Sequence, residues 1–456
     1  MEQKREKLST RLGFIFLSAG CAIGLGNIWR FPYIVGQYGG GAFVLIYLIF
    51  LFVLGMPIMV MEFSMGRASG KSIARAFNEL EKPNQKWHLF SYVAMAGNYL
   101  LVMFYTTISG WMLAYFFKML KGEFVGLNNT QISEAFTLLK QDPLQSVFWT
   151  LMIVFIGCLI CSLGLQKGVE KISKWMMSCL LAVMLLLVVR SLTLDNALEG
   201  LRFYLVPDFQ KLKEAGIFNA IYAALGQAFF TLSVGMGGMM IFGSYTDKKH
   251  SLTGESIHIL LLDTFVAITA GFIIFPACFS YGVAANSGPG LVFVTLPNIF
   301  NAMPFGRLWG TLFFVFMNFA AITTIIAVFE NIISFSMDLF HYSRKKSVLV
   351  NVILIAILTL PCALGGSLLS WIQPFGKGSA ILDLEDFLVS NVIMPIGSIV
   401  ILFFCTRKAG WGWNHFVKEA NEGKGTSYPV WAKGYISYVI PCIVLFIFIM
   451  GIIEKF

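Results

Sequence analysis

The chain has 456 residues, 57% of them hydrophobic and only 12% charged, with a mean hydropathy of +0.76. A soluble protein carries about a quarter charged residues and has no core able to hide so much apolar side chain. The net charge of +9 would suit a nucleic-acid binder, but its placement along the chain follows a different logic.

Runs of about 20 apolar residues, enough to cross roughly 30 Å of hydrocarbon, recur from end to end. The pattern predicts an all-α membrane protein with eleven spans near 12–36, 42–66, 89–117, 147–164, 173–193, 216–243, 256–283, 307–340, 347–366, 382–406 and 435–453. The start, MEQKREKLSTR, is charged, and the run after it is too long for a cleaved signal peptide. Two thirds of the 33 Lys and Arg lie before the first span or after the second, fourth, sixth, eighth and tenth. By the positive-inside rule these segments are cytoplasmic, so the N-terminus is inside and the C-terminus outside. The basic charge is a topology signal, and nucleic acid is excluded as a partner.

All eight cysteines (Cys21, Cys158, Cys161, Cys179, Cys278, Cys362, Cys405 and Cys442) fall in apolar runs, which argues against a disulfide framework. The Cys158-x-x-Cys161 pair lies inside a span without a second pair and reads as packing. The Asn128-Asn129-Thr130 sequon reads as incidental. The far loop ANSGPGLVFVTLPNIFNAMPFG is apolar and punctuated by Gly and Pro, which suggests a folded cap.

Two spans are interrupted. The first carries Gly20, Gly24 and Gly26 at mid-depth, followed by Arg30 and Pro32. The sixth carries Gly235, Gly237 and Gly238. Glycine inside a helix costs about 1 kcal/mol relative to alanine, and unwound backbone in a bilayer survives only where protein or a cavity receives its polar groups. Gly20-x-x-x-Gly24 also matches a small-residue packing motif. Packing does not account for Asn27 and Arg30 beside it, nor for a second break five spans later. That spacing points to two inverted five-helix halves, 12–193 and 216–406, with an extra helix at 435–453 and a binding site at the midplane.

Few polar groups lie deep in the spans: Asn27 after the first break, Thr231 and Ser233 before the second, Asp263 in the seventh span, and Thr323-Thr324 in the eighth. An ionised Asp at that depth is expensive unless it is paired with a cation. Hard cations prefer oxygen ligands, and an Asn amide, Thr hydroxyls, a carboxylate and freed carbonyls supply them. A membrane Thr pair alone would read as back-bonding to its own helix.

The run Gly24-Leu25-Gly26-Asn27-Ile28-Trp29-Arg30-Phe31-Pro32-Tyr33, followed by Gly39-Gly40-Gly41-Ala42-Phe43, resembles the neurotransmitter:sodium symporter family and its LeuT fold. The likeness runs over nearly the whole chain and suits the bacterial eleven-helix amino-acid transporter branch, in a bacterial plasma membrane. The broken-helix rule was itself drawn partly from this family, so the two lines of inference overlap.

The resemblance implies roles residue by residue. One sodium would bind the Ala22 carbonyl, Asn27, Thr231 and Asp263, with the substrate carboxylate. A second would bind the carbonyls of Gly20, Ile23 and Ala320 and the hydroxyls of Thr323 and Thr324. One or two ions are expected, two being favoured, with no organic cofactor. Tyr105 and the amides of Gly24 and Gly26 would hold the substrate carboxylate, near Ala22. Phe230 would lie over the substrate, and Ser233, Met236 and Val328 would shape its side-chain pocket. Arg30 and Asp386 would form the outer gate, Arg5 and Asp338 with Tyr245 the inner one, and Glu62 would support the unwound segments.

Departures refine this picture. Cys21 stands where some relatives have Asn. Asp263 replaces the neutral Asn of the chloride-dependent branch, and Ala267 replaces its anion-holding Ser, although Tyr47 and Gln227 are kept. The pattern implies a carboxylate in place of chloride. The fifth span lacks the Gly-then-Pro spacing that some relatives use to open inward. Gly24 stands where monoamine transporters carry an Asp, so the substrate should bring its own carboxylate. Met236, between two glycines, gives a polarizable wall suited to a hydrophobic or aromatic L-amino acid. A proton-coupled transporter of the same architecture and a non-transporting amino-acid sensor are the competing readings. No catalytic constellation suggests an enzyme, and the oligomeric state stays open.

Overall fold

The computed structural model describes residues 6–283 and 290–455. Their regular structure is helical apart from two isolated bridges, Gly40 with Pro207 and His250 with Lys424. In chain order the principal helices are α1 (Arg11–Ala22), α2 (Gly26–Gln37), α3 (Gly41–Ser69), α4 (Leu89–Lys121), α5 (Pro143–Ser162), α6 (Leu165–Leu192), α7 (Ile217–Thr231), α8 (Gly238–Tyr245), α9 (Leu252–Ser280), α10 (Gly306–Phe340), α11 (Arg344–Leu364), α12 (Ile381–Thr406) and α13 (Val430–Ile453).

Among the described residues, nine helices are long and apolar enough to cross a membrane, and α1 with α2, bent by 54°, makes a tenth. The expected eleventh, the sixth span, is two helices of 15 and 8 residues, neither of membrane length. The count of eleven therefore holds only if this split pair is taken as one crossing.

Local chemistry sets the boundaries. The Thr10 hydroxyl accepts from the Gly13 amide at 3.0 Å and starts α1. Asp142 starts α5 by accepting from the amides of Leu144 and Gln145. Asn128, the sequon residue, caps the short helix Asn129–Gln141 in a capping box. Each cap satisfies amides that the first helical turn leaves without partners.

The centre of the bundle is α10, which packs along α1, α4, α5 and α6. In its apolar window 83% of residues are buried, against 33–39% for α5, α6, α11 and α13, which form the periphery. The expected cap is present: Leu291, Val292 and Phe293 are fully buried, and the Phe293 ring stacks on Phe136 at 4.6 Å and meets Tyr115 edge-on. Residues 284–289 of that loop lie outside the described residues.

On the face that carries the N-terminus, Arg67 donates to Glu419 at 2.6 Å and to the His250 carbonyl at 2.9 Å, tying α3 to the segment before α13. Lys248 donates to Glu422 at 2.8 Å, which raises the lysine pKa and lowers the glutamate's.

A close backbone contact joins α3 to α8. A Cβ on Gly66 would lie 1.8 Å from the Met240 carbonyl oxygen, and one on Gly243 2.3 Å from that of Phe63. Gly226, in α7, has nothing within 4 Å of its Cβ position. Gly66→Ala should therefore destabilise the protein by about 2–3 kcal/mol through overpacking. Gly226→Ala should be neutral or stabilise by up to about 1 kcal/mol. Thermal unfolding in detergent reads the contrast, and equal midpoints for the two variants would contradict this packing.

Candidate functional site

Both interrupted spans break where the glycines predict. At the first, Ile23 leaves the helix with extended backbone (ψ 91°), and a helical turn resumes at Gly26. At the second, Ser233, Gly235 and Gly237 all take positive φ (50°, 98° and 75°), a conformation only glycine adopts without strain. The freed amides are claimed by one carboxylate. Glu62 of α3, fully buried, accepts from Gly235 N at 2.6 Å, Gly237 N at 3.3 Å and Met239 N at 3.0 Å. A negative group thus sits on the positive end of α8 and satisfies its first orphan donors.

Beside the first break, Asn27 donates to Asp263 Oδ1 at 2.8 Å, and the Thr231 hydroxyl donates to Asn27 Oδ1 at 3.0 Å and lies 3.4 Å from Asp263 Oδ2. All three side chains are buried. No cationic side chain among the described residues pairs with Asp263. The structure thus brings together three residues from α2, α7 and α9 that the sequence singled out. Gln227 adds a hydrogen bond to the Gly26 carbonyl at 2.9 Å, and the buried Tyr47 hydroxyl faces Thr231 and Asp263.

A second oxygen cluster joins α1 to α10. The Thr324 hydroxyl lies 3.0 Å from the Gly20 carbonyl, 3.3 Å from that of Ile23 and 3.3 Å from that of Ala320. Thr323 back-bonds to Phe319 and Ala320, both at 2.9 Å, but its side chain also faces α1, 3.1 Å from a Cβ position on Gly20. Back-bonding is therefore present, and the Thr324 hydroxyl also reaches across to the broken helix.

Between the clusters lies a small cavity lined by Cys21, Ala22, Gly24, Gly26, Leu101, Tyr105, Phe230, Ser233, Met236, Thr324 and Met394. The Tyr105 hydroxyl accepts from Leu25 N at 3.0 Å. A Cβ on Gly24 would lie 2.3 Å from that hydroxyl and 2.8 Å from Thr324 Oγ1, and one on Gly26 2.9 Å from the Phe230 ring. Both glycines are sterically required. Val328 does not line the cavity, contrary to expectation. It lies one helical turn along α10 from Thr324, on the same face of that helix. Leu101 and Met394, which do line it, carry no polar or glycine signal in the sequence.

Above Phe230 opens a second, wider cavity lined by Arg30, Tyr33, Phe104, Asp383 and Asp386 among others. Phe230 and Tyr105 border both cavities. Arg30 and Asp386 face this vestibule without an ion pair. Arg30 instead lies over the Phe230 ring, 4.4 Å from its centroid, and Asp386 accepts from Ser390 at 2.8 Å. The expected gate pair is thus apart in this structure.

Of the expected inner trio, Arg5 lies outside the described residues. Asp338 accepts from Ser72 N at 2.8 Å and the Ser72 hydroxyl at 2.6 Å. Tyr245 donates to Glu330 at 2.6 Å and meets Ser334 at 2.9 Å. Glu330, fully buried, is also ion-paired with Arg344 of α11. Sequence reasoning missed this Glu330–Arg344 pair, although a carboxylate inside an apolar span is a signal in itself. It also missed Asn98, which donates to the Met236 carbonyl at 3.0 Å and accepts from Asn331 at 3.0 Å.

With fold and site described, comparison with known proteins identifies the class. The chain matches the model of the sodium:neurotransmitter symporter family over residues 5–133 and 140–455. It is 36% identical over 450 residues to an uncharacterized sodium-dependent transporter, YhdH, of Bacillus subtilis, covering 98% of each chain. It is 33% identical to an uncharacterized sodium-dependent transporter of Methanocaldococcus jannaschii, covering 97% of this chain and 89% of the relative. The crystal structure of MhsT in complex with L-phenylalanine superposes with a TM-score of 0.87 at 34% identity, covering 98% of this chain and 100% of that one. The chain therefore belongs to the sodium:neurotransmitter symporter family. It is a multi-pass membrane transporter that uses sodium.

The Glu62 geometry makes a graded prediction. Glu62→Ala leaves three amides without an acceptor and should cost at least about 2 kcal/mol, roughly 30-fold in substrate affinity. Glu62→Gln keeps one acceptor oxygen and should lose distinctly less. Sodium-dependent binding of a labelled amino acid to the purified variants measures both, and equal affinities for the two variants would refute the capping role.

Proposed function

We propose that the protein imports large hydrophobic or aromatic L-amino acids, coupled to two sodium ions and independent of chloride. The observation that carries this reading is Asp263, a fully buried carboxylate hydrogen-bonded to Asn27 and Thr231 with no cationic partner among the described residues. A group of that charge in hydrocarbon calls for a cation, and the oxygens around it suit sodium. We assign the first ion to the Ala22 carbonyl, Asn27, Thr231 and Asp263, completed by the substrate carboxylate. The second is assigned to the carbonyls of Gly20, Ile23 and Ala320 with Thr323 and Thr324. Its neighbour on α6 is Met177, whose Sδ lies 3.7 Å from the Gly20 Cβ position. A proton-coupled transporter would place a cationic side chain there, so Met177 favours sodium.

The substrate sits in the smaller cavity with its carboxylate at Tyr105 and the amides of the first break, and its amine at the carbonyl side of the breaks, as the helix-end dipoles favour. Gly24 excludes a side-chain acid there, so the carboxylate comes from the ligand. Apolar walls from Leu101, Phe230, Met236 and Met394 suit a large hydrophobic side chain, in keeping with the L-phenylalanine bound by MhsT. Arg30 and Asp386 close over Phe230 after binding, and Arg5, Asp338 and Tyr245 seal the opposite face. Residues 12–193 and 216–406 form two inverted repeats around this site, with the N-terminus cytoplasmic. The driving force suffices: two ions crossing about 100 mV down a tenfold gradient release about 7 kcal/mol, enough for accumulation on the order of 10⁵-fold.

Two outcomes test the finer claims. With sodium present, labelled Trp, Tyr and Leu should be taken up and Gly should not, at equal rates in chloride and gluconate media. Uptake restricted to Gly and other small amino acids would refute the substrate reading. Asp263→Asn should abolish transport or make it require chloride. A variant that stays active without chloride would remove Asp263 from the mechanism.

A further inference from the structure

Gly97 lies in the interior of α4, where glycine is less favourable than alanine. Some helical glycines here have backbone pressed against them: Gly110 meets Trp149 and Thr150 main chain at 2.8–2.9 Å, and Gly66 meets the Met240 carbonyl. Gly97 meets none. The nearest atoms to a Cβ there are Met236 Sδ and Ile393 Cγ2, both at 2.8 Å, with Ile393 Cδ1 at 3.4 Å. The missing methyl therefore makes room for side chains, one of which forms a wall of the substrate cavity.

Met236 is free to answer an added methyl only with its side chain. Glu62 holds the amides of Gly235 and Gly237 on either side of it. Asn98 holds its carbonyl at 3.0 Å and is itself anchored by Asn331. Ile393 is buried against its own neighbours. For the unbranched thioether, the open direction away from α4 is the cavity.

We infer that Gly97 sets the size of side chain the transporter accepts, by providing a notch that receives the Met236 thioether and keeps it out of the substrate cavity. This rests on the proposed transport of large hydrophobic amino acids. Filling the notch shortens the cavity from the Met236 side, which penalises an indole or phenyl ring and spares a smaller aliphatic chain.

The test is sodium-dependent binding of labelled L-Trp, L-Phe and L-Leu to the purified full chain and to Gly97→Ala, Met236→Ala and the double variant. The ratio of Trp to Leu affinity should fall at least tenfold in Gly97→Ala, and the double variant should match Met236→Ala alone within threefold. An unchanged ratio, an equal loss for Trp and Leu, or a double variant tenfold weaker for Trp than Met236→Ala would overturn the inference. The last comparison decides the matter if Gly97→Ala alone does not fold. A wild-type protein that binds none of Trp, Phe and Leu would overturn the substrate reading and the notch together. Wild-type binding of Trp with an unaltered ratio in Gly97→Ala would overturn the notch alone.

Discussion

Backbone amides and carbonyls freed inside a bilayer have no water to turn to, and this constraint shapes the rest of the molecule. Two helices here are opened at mid-depth, and each opening is tolerated because specific groups receive what it releases. Glu62 collects the amides at the start of α8, Asn98 takes up the Met236 carbonyl, and Gln227 the Gly26 carbonyl. The carbonyls of Gly20 and Ile23 turn toward Thr324. Once satisfied in this way, the breaks present a fixed set of oxygens and amides to the cavity between them. The cost of interrupting a helix is what makes a polar site in the membrane possible.

Arrangement around the cavity links this site to movement. Phe230 lies between the small cavity and the vestibule with Arg30 above it, and Asp386 waits on the far wall. On the opposite face, Tyr245 at the end of α8 is held by Glu330 and Ser334 of α10. The structure is thus loose on the vestibule side and tied on the N-terminal side. On that tied side α8 is also held against α3, where Gly66 and Gly243 let the two backbones approach.

Much of this was legible in the sequence, and the reasons are physical. Glycine clusters at mid-depth mark backbone breaks when, as here, polar residues such as Asn27 stand beside them and a second cluster recurs five spans later. Asn27, Thr231 and Asp263 stood out because polar groups are costly there. Depth was less legible than face: helical periodicity puts Val328 on the same side as Thr324 but does not say where the cavity ends. Spacing does not encode whether Arg30 meets Asp386 or, as here, lies over the Phe230 ring. Tertiary pairs such as Arg67 with Glu419, 352 residues apart, and Glu330 with Arg344 leave no periodic trace. Nor does the notch at Gly97, since a glycine vacated for a neighbouring side chain reads the same as one vacated for a helix crossing.

The central claim is that sodium moving down its gradient drives an amino acid across the membrane. The direct measurement is uptake of labelled L-phenylalanine into proteoliposomes with sodium outside and potassium inside, compared with vesicles holding sodium on both sides. Concentrative uptake that appears only with the imposed sodium gradient, and collapses when external sodium is replaced by potassium, is the result expected. Equal accumulation with and without the gradient, or accumulation that survives the replacement, would contradict the account.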